Sequence, residues 1–242
     1  MTFSFVTYNI HKGIGNDRLY RLHRIIEICR ELNPDFLALQ EVDKGVPRSR
    51  NEDIAHILAE ELGYHYTLGV NVKLRKGAYG NATLSRFPVR KSSNLDITWS
   101  IKKKRGCLNS IFETPAGELA VMNFHLGLAS VERSRQIKKI IHSHFYTMYR
   151  NIPLVMLGDT NDRKNKINGT LGEAGLSDAG AEKSPKNRTF PAYAPLIRLD
   201  KIFYNQLFEI QEYRVVKTRL SSIASDHLPV MVHLKATTAA QR

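Results

Sequence analysis

"NIPLVMLGDTND" (residues 151–162) decides how the chain folds. Its first half is apolar without alternation, the pattern of a strand covered on both faces. Its second half is polar: Asp159, Asn161 and Asp162, with Gly158 expected to ease a turn. Carboxylates and amides are costly to bury without partners. A core strand that runs into three of them predicts a place where polar side chains converge.

The same figure recurs along the chain. "FSFVTYNI" (3–10) reads as a strand ending at Asn9, "DFLALQEV" (35–42) as one carrying Glu41, and "ELAVMNFHL" (118–126) as one ending at His125. Asp226 and His227 precede "LPVMVHL", and Asp200 sits inside "IRLDKIF". Singly, each has a plain structural explanation: Asn9 capping a turn, or Asp200 pairing with Arg198 or Lys201. Their recurrence points to a site, because active sites of layered α/β proteins gather at strand ends.

Helical patterns separate some of these strands. Leu19, Leu22, Ile25, Ile26, Cys29 and Leu32 form an apolar stripe stopped by Asn33-Pro34. Asn51 is placed to cap a helix carrying Ile54, Ile57, Leu58 and Leu62, ended by Gly63. A longer helix is expected from about Ser130, with Ile137, Ile140, Ile141, Phe145 and Met148 inward, and residues 163–189 read as a short helix and loops. The count is roughly ten strands and four helices, without repeats or a Pro/Ser-rich linker. That predicts one α/β domain over residues 1–235, two mixed sheets packed together and covered by helices, and a frayed tail over 236–242.

The chain has 242 residues, 42% hydrophobic and 24% charged, ordinary for a globular protein. No apolar run approaches the ~20 residues of a membrane-spanning helix. The amino terminus lacks the pattern of a secretory signal, and Cys29 and Cys107 lie far apart with no CxxC spacing, which suggests neither a zinc site nor a disulfide framework. A cytoplasmic protein is the expectation. Lys and Arg total 36 against 23 acidic residues, a formal charge of +13. Such a surface favours an anionic partner: nucleic acid, a phospholipid surface or a phosphorylated metabolite. The basic residues cluster in "KLRK" (73–76), "KKKR" (102–105), "RSRQIKK" (133–139) and "DRKNKI" (162–167), so a basic face must be assembled by folding.

The strand-end residues support one chemistry together. Glu41 and Asn9 offer hard oxygen ligands suited to Mg²⁺ that keeps waters and a substrate phosphate. Asp159 can accept a proton from an attacking water or aim it, with Asn161 placing that water. His227, oriented by the carboxylate beside it or by another nearby, can act as a base or donate to a developing negative oxygen. His125 is a second imidazole for phosphoryl oxygens. No Ser or Cys sits in a nucleophile elbow, so water is the expected nucleophile.

"TYNIHKG", "LQEVD", "GNATLSRFP", "NFHLG", "GDTND", "RLDKIF" and "SDHLPV", in this order over about residues 3–235, resemble the endonuclease/exonuclease/phosphatase superfamily of pancreatic-deoxyribonuclease-like proteins. Finer features such as "KKRGCL" and "RTFPAYAPLIRLDKIF" are similar to a subgroup of small stand-alone bacterial members. The resemblance implies a four-layer α/β sandwich and a Mg²⁺- or Mn²⁺-dependent hydrolase of phosphoester bonds. It implies that Asn9 and Glu41 hold the metal with help from Asp226, that Asp159 and Asn161 handle the nucleophile, and that His125 and His227 bind phosphoryl oxygens. Asp200 matches a family aspartate near the leaving group, and Arg105 a phosphate-contacting arginine. Thr160 departs from the aromatic or apolar residue common there, which implies a local packing change. His125 fits the deoxyribonuclease, sphingomyelinase and phosphoinositide branches alike. The expected substrate is nucleic acid, with a phospholipid headgroup or small phosphorylated metabolite as the alternative and an anion-binding scaffold as a third reading. His11 is expected to support its loop, Trp99 to anchor a strand end, and "NRTFPAYAP" (187–195) to form a rim over the pocket.

Overall fold

The computed structural model describes residues 1–181 and 184–237. The first half contains β1 (Thr2–Asn9), α1 (Leu22–Leu32), β2 (Phe36–Lys44), α2 (Ile54–Leu62), β3 (His65–Lys73), β4 (Ala78–Ser85) and β5 (Val89–Asp96). Next come β6 (Gly106–Thr114), β7 (Gly117–His125), α3 (Ser130–Ile141), α4 (His144–Tyr149), β8 (Leu154–Asp159) and α5 (Ile167–Glu173). The last third holds β9 (Leu176–Asp178), β10 (Asp200–Asn205), β11 (Phe208–Val215), α6 (Ser221–Ala224) and β12 (Val230–Ala236).

These strands form two six-stranded sheets, ordered β11-β12-β1-β2-β4-β3 and β5-β6-β7-β8-β10-β9. Each is mixed: β1–β2 and β7–β8 run parallel, and the other pairs run antiparallel. Three apolar cores separate four layers. Ile25, Ile28 and Cys29 of α1 and Ile54 and Leu58 of α2 cover one sheet through Val6, Tyr8, Leu37 and Leu39. Ile137, Ile140 and Phe145 cover the other through Ala120, Met122, Phe124, Leu154 and Met156. Phe3, Phe5, Phe36 and Ala38 meet Phe112, Val121, Val155 and Leu157 between the sheets. The two-residue period of a strand explains the division, since alternate side chains of β1, β2, β7 and β8 serve opposite cores. Both faces are therefore apolar, and these strands read as continuous hydrophobic runs. The four-layer α/β sandwich of the deoxyribonuclease-like fold is what the chain adopts.

The inter-sheet parity positions the site. Residues 3, 5, 7 and 9 of β1 share one face, as do 121, 123 and 125 of β7 and 155, 157 and 159 of β8. Cross-strand register then sets His125 beside Asp159 and Asp159 beside Asp200 on three neighbouring strands. Moving toward that edge the inter-sheet layer turns polar. Gln40 Nε2 donates to Asn123 Oδ1 at 2.9 Å, and Asn123 Nδ2 donates to the Ala82 carbonyl at 2.8 Å, tying the sheets together. Gly158 is a strand residue and not the turn expected of it. An added Cβ there would lie 1.9 Å from the Phe124 carbonyl oxygen, so β8 approaches β7 closely only because that atom is absent.

Other boundaries moved for local reasons. The helix expected to run from Ser130 to Met148 is broken into α3 and α4 by Ser143, whose side chain accepts from the Tyr146 N–H; Met148 faces solvent. Asp53, not Asn51, caps α2 by accepting from His56 N–H. Leu19 is exposed and precedes α1. Twelve strands and six α-helices are present among the described residues, the extra short ones including β9 and α6, which lack a periodic pattern long enough to read. Ala236, expected in the tail, closes β12, and Thr237 N–H donates to the Leu207 carbonyl at 3.0 Å. Residues 238–242 of that tail lie outside the described residues.

Candidate active site

Asp159 is the hub. It is buried at the end of β8. One carboxylate oxygen, Oδ1, accepts the Asn161 backbone N–H at 2.9 Å. The other, Oδ2, accepts Asn9 Nδ2 at 3.0 Å and lies 3.3 Å from His125 Nε2 and 3.7 Å from His227 Nε2. Burial raises its pKa to about 6, with the Asp200 charge adding to the rise and His227 opposing it. Asn9, His125, Asp159 with Asn161, Asp200 and His227, brought together from five places in the chain, thus form one contiguous cluster.

Asp200 settles which carboxylate orients His227. His227 Nδ1 donates to Asp200 Oδ2 at 2.8 Å, whereas Asp226, the sequence neighbour, is half-buried and contacts the Ser225 hydroxyl at 3.4 Å. The pairings of Asp200 with Arg198 or Lys201 do not form; Arg198 binds Asp178, and Lys201 lies 3.8 Å from Asp162. Burial opposes a charge on His227, but Asp200 and Asp159 prevail and raise its pKa to about 10. At neutral pH it is an imidazolium. His125 is the opposite case. Burial, then the Arg105 charge, pushes it well below the usual imidazole value, so it is neutral. Two histidines in one pocket hold opposite charge states because only one has a carboxylate bonded to its far nitrogen.

Glu41 reaches the pocket through irregular backbone. The β2–β4 ladder slips between Leu39 and Val42, and Glu41 adopts φ +59°, a left-handed conformation uncommon for this residue. The bulge turns onto the inter-sheet face a side chain that regular alternation would send outward. Its carboxylate pairs with Lys12 Nζ. Burial disfavours its charge, but His125 when protonated, together with Lys12, reverses the sign and holds Glu41 well below the usual carboxylate range. His11, Lys12 and Asn161 also have positive φ. Such conformations collect at functional sites, where surrounding structure enforces them. His11 supports its loop as expected, its Nδ1 lying 3.0 Å from the Ile14 carbonyl.

Lys12, Tyr79 and Arg48 were not legible in sequence, whereas Arg105 and the rim segment were. Lys12 stands against Glu41, and the Tyr79 ring beside it carries Lys103 Nζ at 5.0 Å and the Arg48 guanidinium at 5.6 Å. Arg105 is buried nearby with its Nε unpartnered. Phe190, in the rim segment, packs on His227 with ring centroids 4.9 Å apart. Thr160 donates to the Leu199 carbonyl at 2.6 Å and fastens the loop after β8 to the start of β10. A cleft of about 550 Å³ opens beside Asn161 and His227, walled by Leu128, Phe190 and Leu199 and by Arg133, Arg163 and Lys166.

Asp159, Asp200 and His227 present ligand atoms all within 4.8 Å of one another, a buried group with the residue types of a metal site, in which the imidazolium of His227 has no lone pair to give until it loses its proton. Glu41 and Asp226 fall outside that compact group. A cation suits the pocket's wider chemistry: Asp200 Oδ1 is buried without a partner, and Glu41 is ionised with an ammonium against it.

Residues 6–227 match the model of the Endonuclease/Exonuclease/phosphatase family. The chain belongs to this family. It is 30% identical over 246 residues to "Uncharacterized protein YbhP" of Escherichia coli K12, covering 96% of both chains. Among solved structures it is similar to an endonuclease/exonuclease/phosphatase from Beutenbergia cavernae (TM-score 0.81, 21% identity, 98% of this chain and 72% of that one). It is also similar to the mannosyl-6-phosphatase Bt3783 of Bacteroides thetaiotaomicron (TM-score 0.75, 19% identity, 96% and 99% covered). The structural likenesses establish the fold, and membership of the family makes the chain a phosphoesterase.

Proposed function

We propose that the chain is a divalent-metal-dependent phosphodiesterase that aims water at phosphorus. The observation that carries the reading is the Asp159 carboxylate, bonded to Asn9 and Asn161 and flanked by His125 and His227. With a pKa of about 6, Asp159 is ionised at neutral pH yet basic enough to take a water proton. Asn161 and Asn9 fix its orientation. His227, held charged by Asp200, donates Nε2–H toward the phosphoryl oxygens as negative charge develops. Neutral His125 offers a second donor. Asn9 and Glu41, with Asp226 at the rim, are the proposed ligands for Mg²⁺ or Mn²⁺, which supplies charge neutralisation on the phosphoryl group when bound. Arg105 is the proposed further phosphate contact.

An anionic substrate fits the charge, with nucleic acid the leading reading and one that charge alone does not separate from an anionic lipid: the protein carries +13, and three of the four basic clusters lie in loops at the active-site edge. A phospholipid headgroup is the second reading, favoured by apolar side chains exposed on that same edge. A panel of plasmid, single-stranded DNA, RNA, phospholipids and bis-p-nitrophenyl phosphate, each with Mg²⁺, with Mn²⁺ and with EDTA, tests the proposal. Metal-dependent cleavage of any diester supports it; none in either metal removes it.

A further inference from the structure

Charge cannot separate the two substrate classes, because both are polyanionic. The apolar side chains can. Six of the twelve large apolar residues exposed among the described residues stand at the active-site edge, Leu74, Ile101, Leu128, Tyr193 and Leu196 in loops and Val131 in the first turn of α3. Strand direction puts them there. The β5–β6 connection emerges where β7 delivers His125, since Cys107 pairs with Phe124. The β3–β4 turn emerges beside the end of β2, since Lys44 pairs with Ala78. Leu128 and Val131 follow β7, and the segment with Tyr193 and Leu196 leads into β10.

Contacts join these loops into one arc. The Arg135 guanidinium lies 5.4 Å from the Trp99 ring, tying α3 to the loop that carries Ile101. Lys103 reaches from that loop to Tyr79 on β4. Leu128 and Phe190 both line the cleft, and Leu196 shares an adjoining hollow with Arg163. Cations alternate with the apolar tips: Arg75 and Lys76, then Lys102 and Lys104, then Arg163 and Lys164. Trp99 is half-buried under Arg135, which leaves Ile101, 99% exposed, as the tip of its loop.

We propose that this edge docks on an anionic phospholipid bilayer, with the apolar tips in the acyl boundary and the flanking lysines and arginines on headgroup phosphates. Apolar tips rimmed by cations suit such an interface. A nucleic acid strand would engage the cations but gives aliphatic tips nothing to enter, and only Tyr193 of the six could stack on a base. A second copy of the chain would oppose two basic edges and be repelled. Docking would bring a headgroup phosphoester to the mouth of the cleft beside His227. This use of the surface rests on the phosphodiesterase reading; the docking does not.

Co-sedimentation with phosphatidylglycerol/phosphatidylcholine vesicles tests it. Wild-type protein should pellet with the mixed vesicles, remain in solution with phosphatidylcholine alone, and be released by salt. The variant Ile101→Asp/Val131→Asp/Leu196→Asp, whose changes lie outside the cleft, should bind roughly tenfold or more weakly while still hydrolysing bis-p-nitrophenyl phosphate. Ile101→Asp alone, which cannot disturb packing at a fully exposed position, should weaken binding in the same direction. Wild-type protein left in the supernatant, or the triple and single variants pelleting like wild type, would overturn the proposal. So would oligonucleotide binding that the variants and competing vesicles leave untouched. Vesicle binding without diester hydrolysis would retire the catalytic reading and keep the docking; hydrolysis without vesicle binding would do the reverse.

Discussion

The layer between the sheets has two ends built to opposite rules. At one, Phe3, Phe5, Phe36 and Phe112 pack ring to ring, with Phe5 and Phe36 stacked at 4.9 Å and Phe36 and Phe112 edge-on at 5.2 Å. At the other, the far end of β1 and the neighbouring ends of β7, β8 and β10 present Asn9, His125, Asp159 and Asp200. Both are buried, but only the first is stabilised by burial. The second is held in place by the first. One rigid frame can therefore fix carboxylates and imidazoles whose own burial works against folding.

The largest expected effect is at the polar end. Asp159→Ala or His227→Ala should lower kcat by at least ~10³, each removing an electrostatic contribution of roughly 3 kcal/mol or more, while circular dichroism remains unchanged. Near-wild-type turnover in either variant would break the division. Phe36→Ala should do the converse. It should cost ~3–5 kcal/mol of stability, read as a lower denaturation midpoint, and leave kcat per folded molecule intact. At the junction, Asn123→Leu removes one acceptor of Gln40 and the amide donor to the Leu39 and Ala82 carbonyls, and should cost ~1–3 kcal/mol with a smaller loss of activity.

pH sharpens the comparison further. kcat/KM should rise as Asp159 ionises through about pH 6 and fall as His227 deprotonates toward about pH 10. Asp200→Asn, which removes the charge holding the imidazolium, should move the upper limb to lower pH. The smallest effect concerns stability. The folded-state pKa of Asp159 is raised, so its ionisation opposes folding as pH climbs from the ordinary carboxylate range through about 6. Asp159→Asn should therefore melt at or above the wild-type temperature at pH 7, and a clearly lower melting temperature would sink the idea that this end is maintained at a cost to stability.

Asp159, His125, Asn161 and His227 were readable because each follows or precedes an apolar run long enough to identify a buried strand. Lys12 and Tyr79 were not, since a lysine in a Gly-flanked loop and a tyrosine in a strand are common without any role. The His227 partner illustrates the limit. Adjacent in sequence, Asp226 points elsewhere, while Asp200 arrives from a different strand by register.

The amino-acid sequence by itself determined the layered α/β architecture and the residue types of a phosphoesterase site, because strand alternation and abrupt polar endings are local patterns. Tertiary structure alone decided which carboxylate charges which histidine, how a bulge turns Glu41 inward, and that basic clusters and apolar tips share one edge. Those depend on strand register, on burial and on which ends of the sheets coincide, and none of them is a property of neighbouring residues.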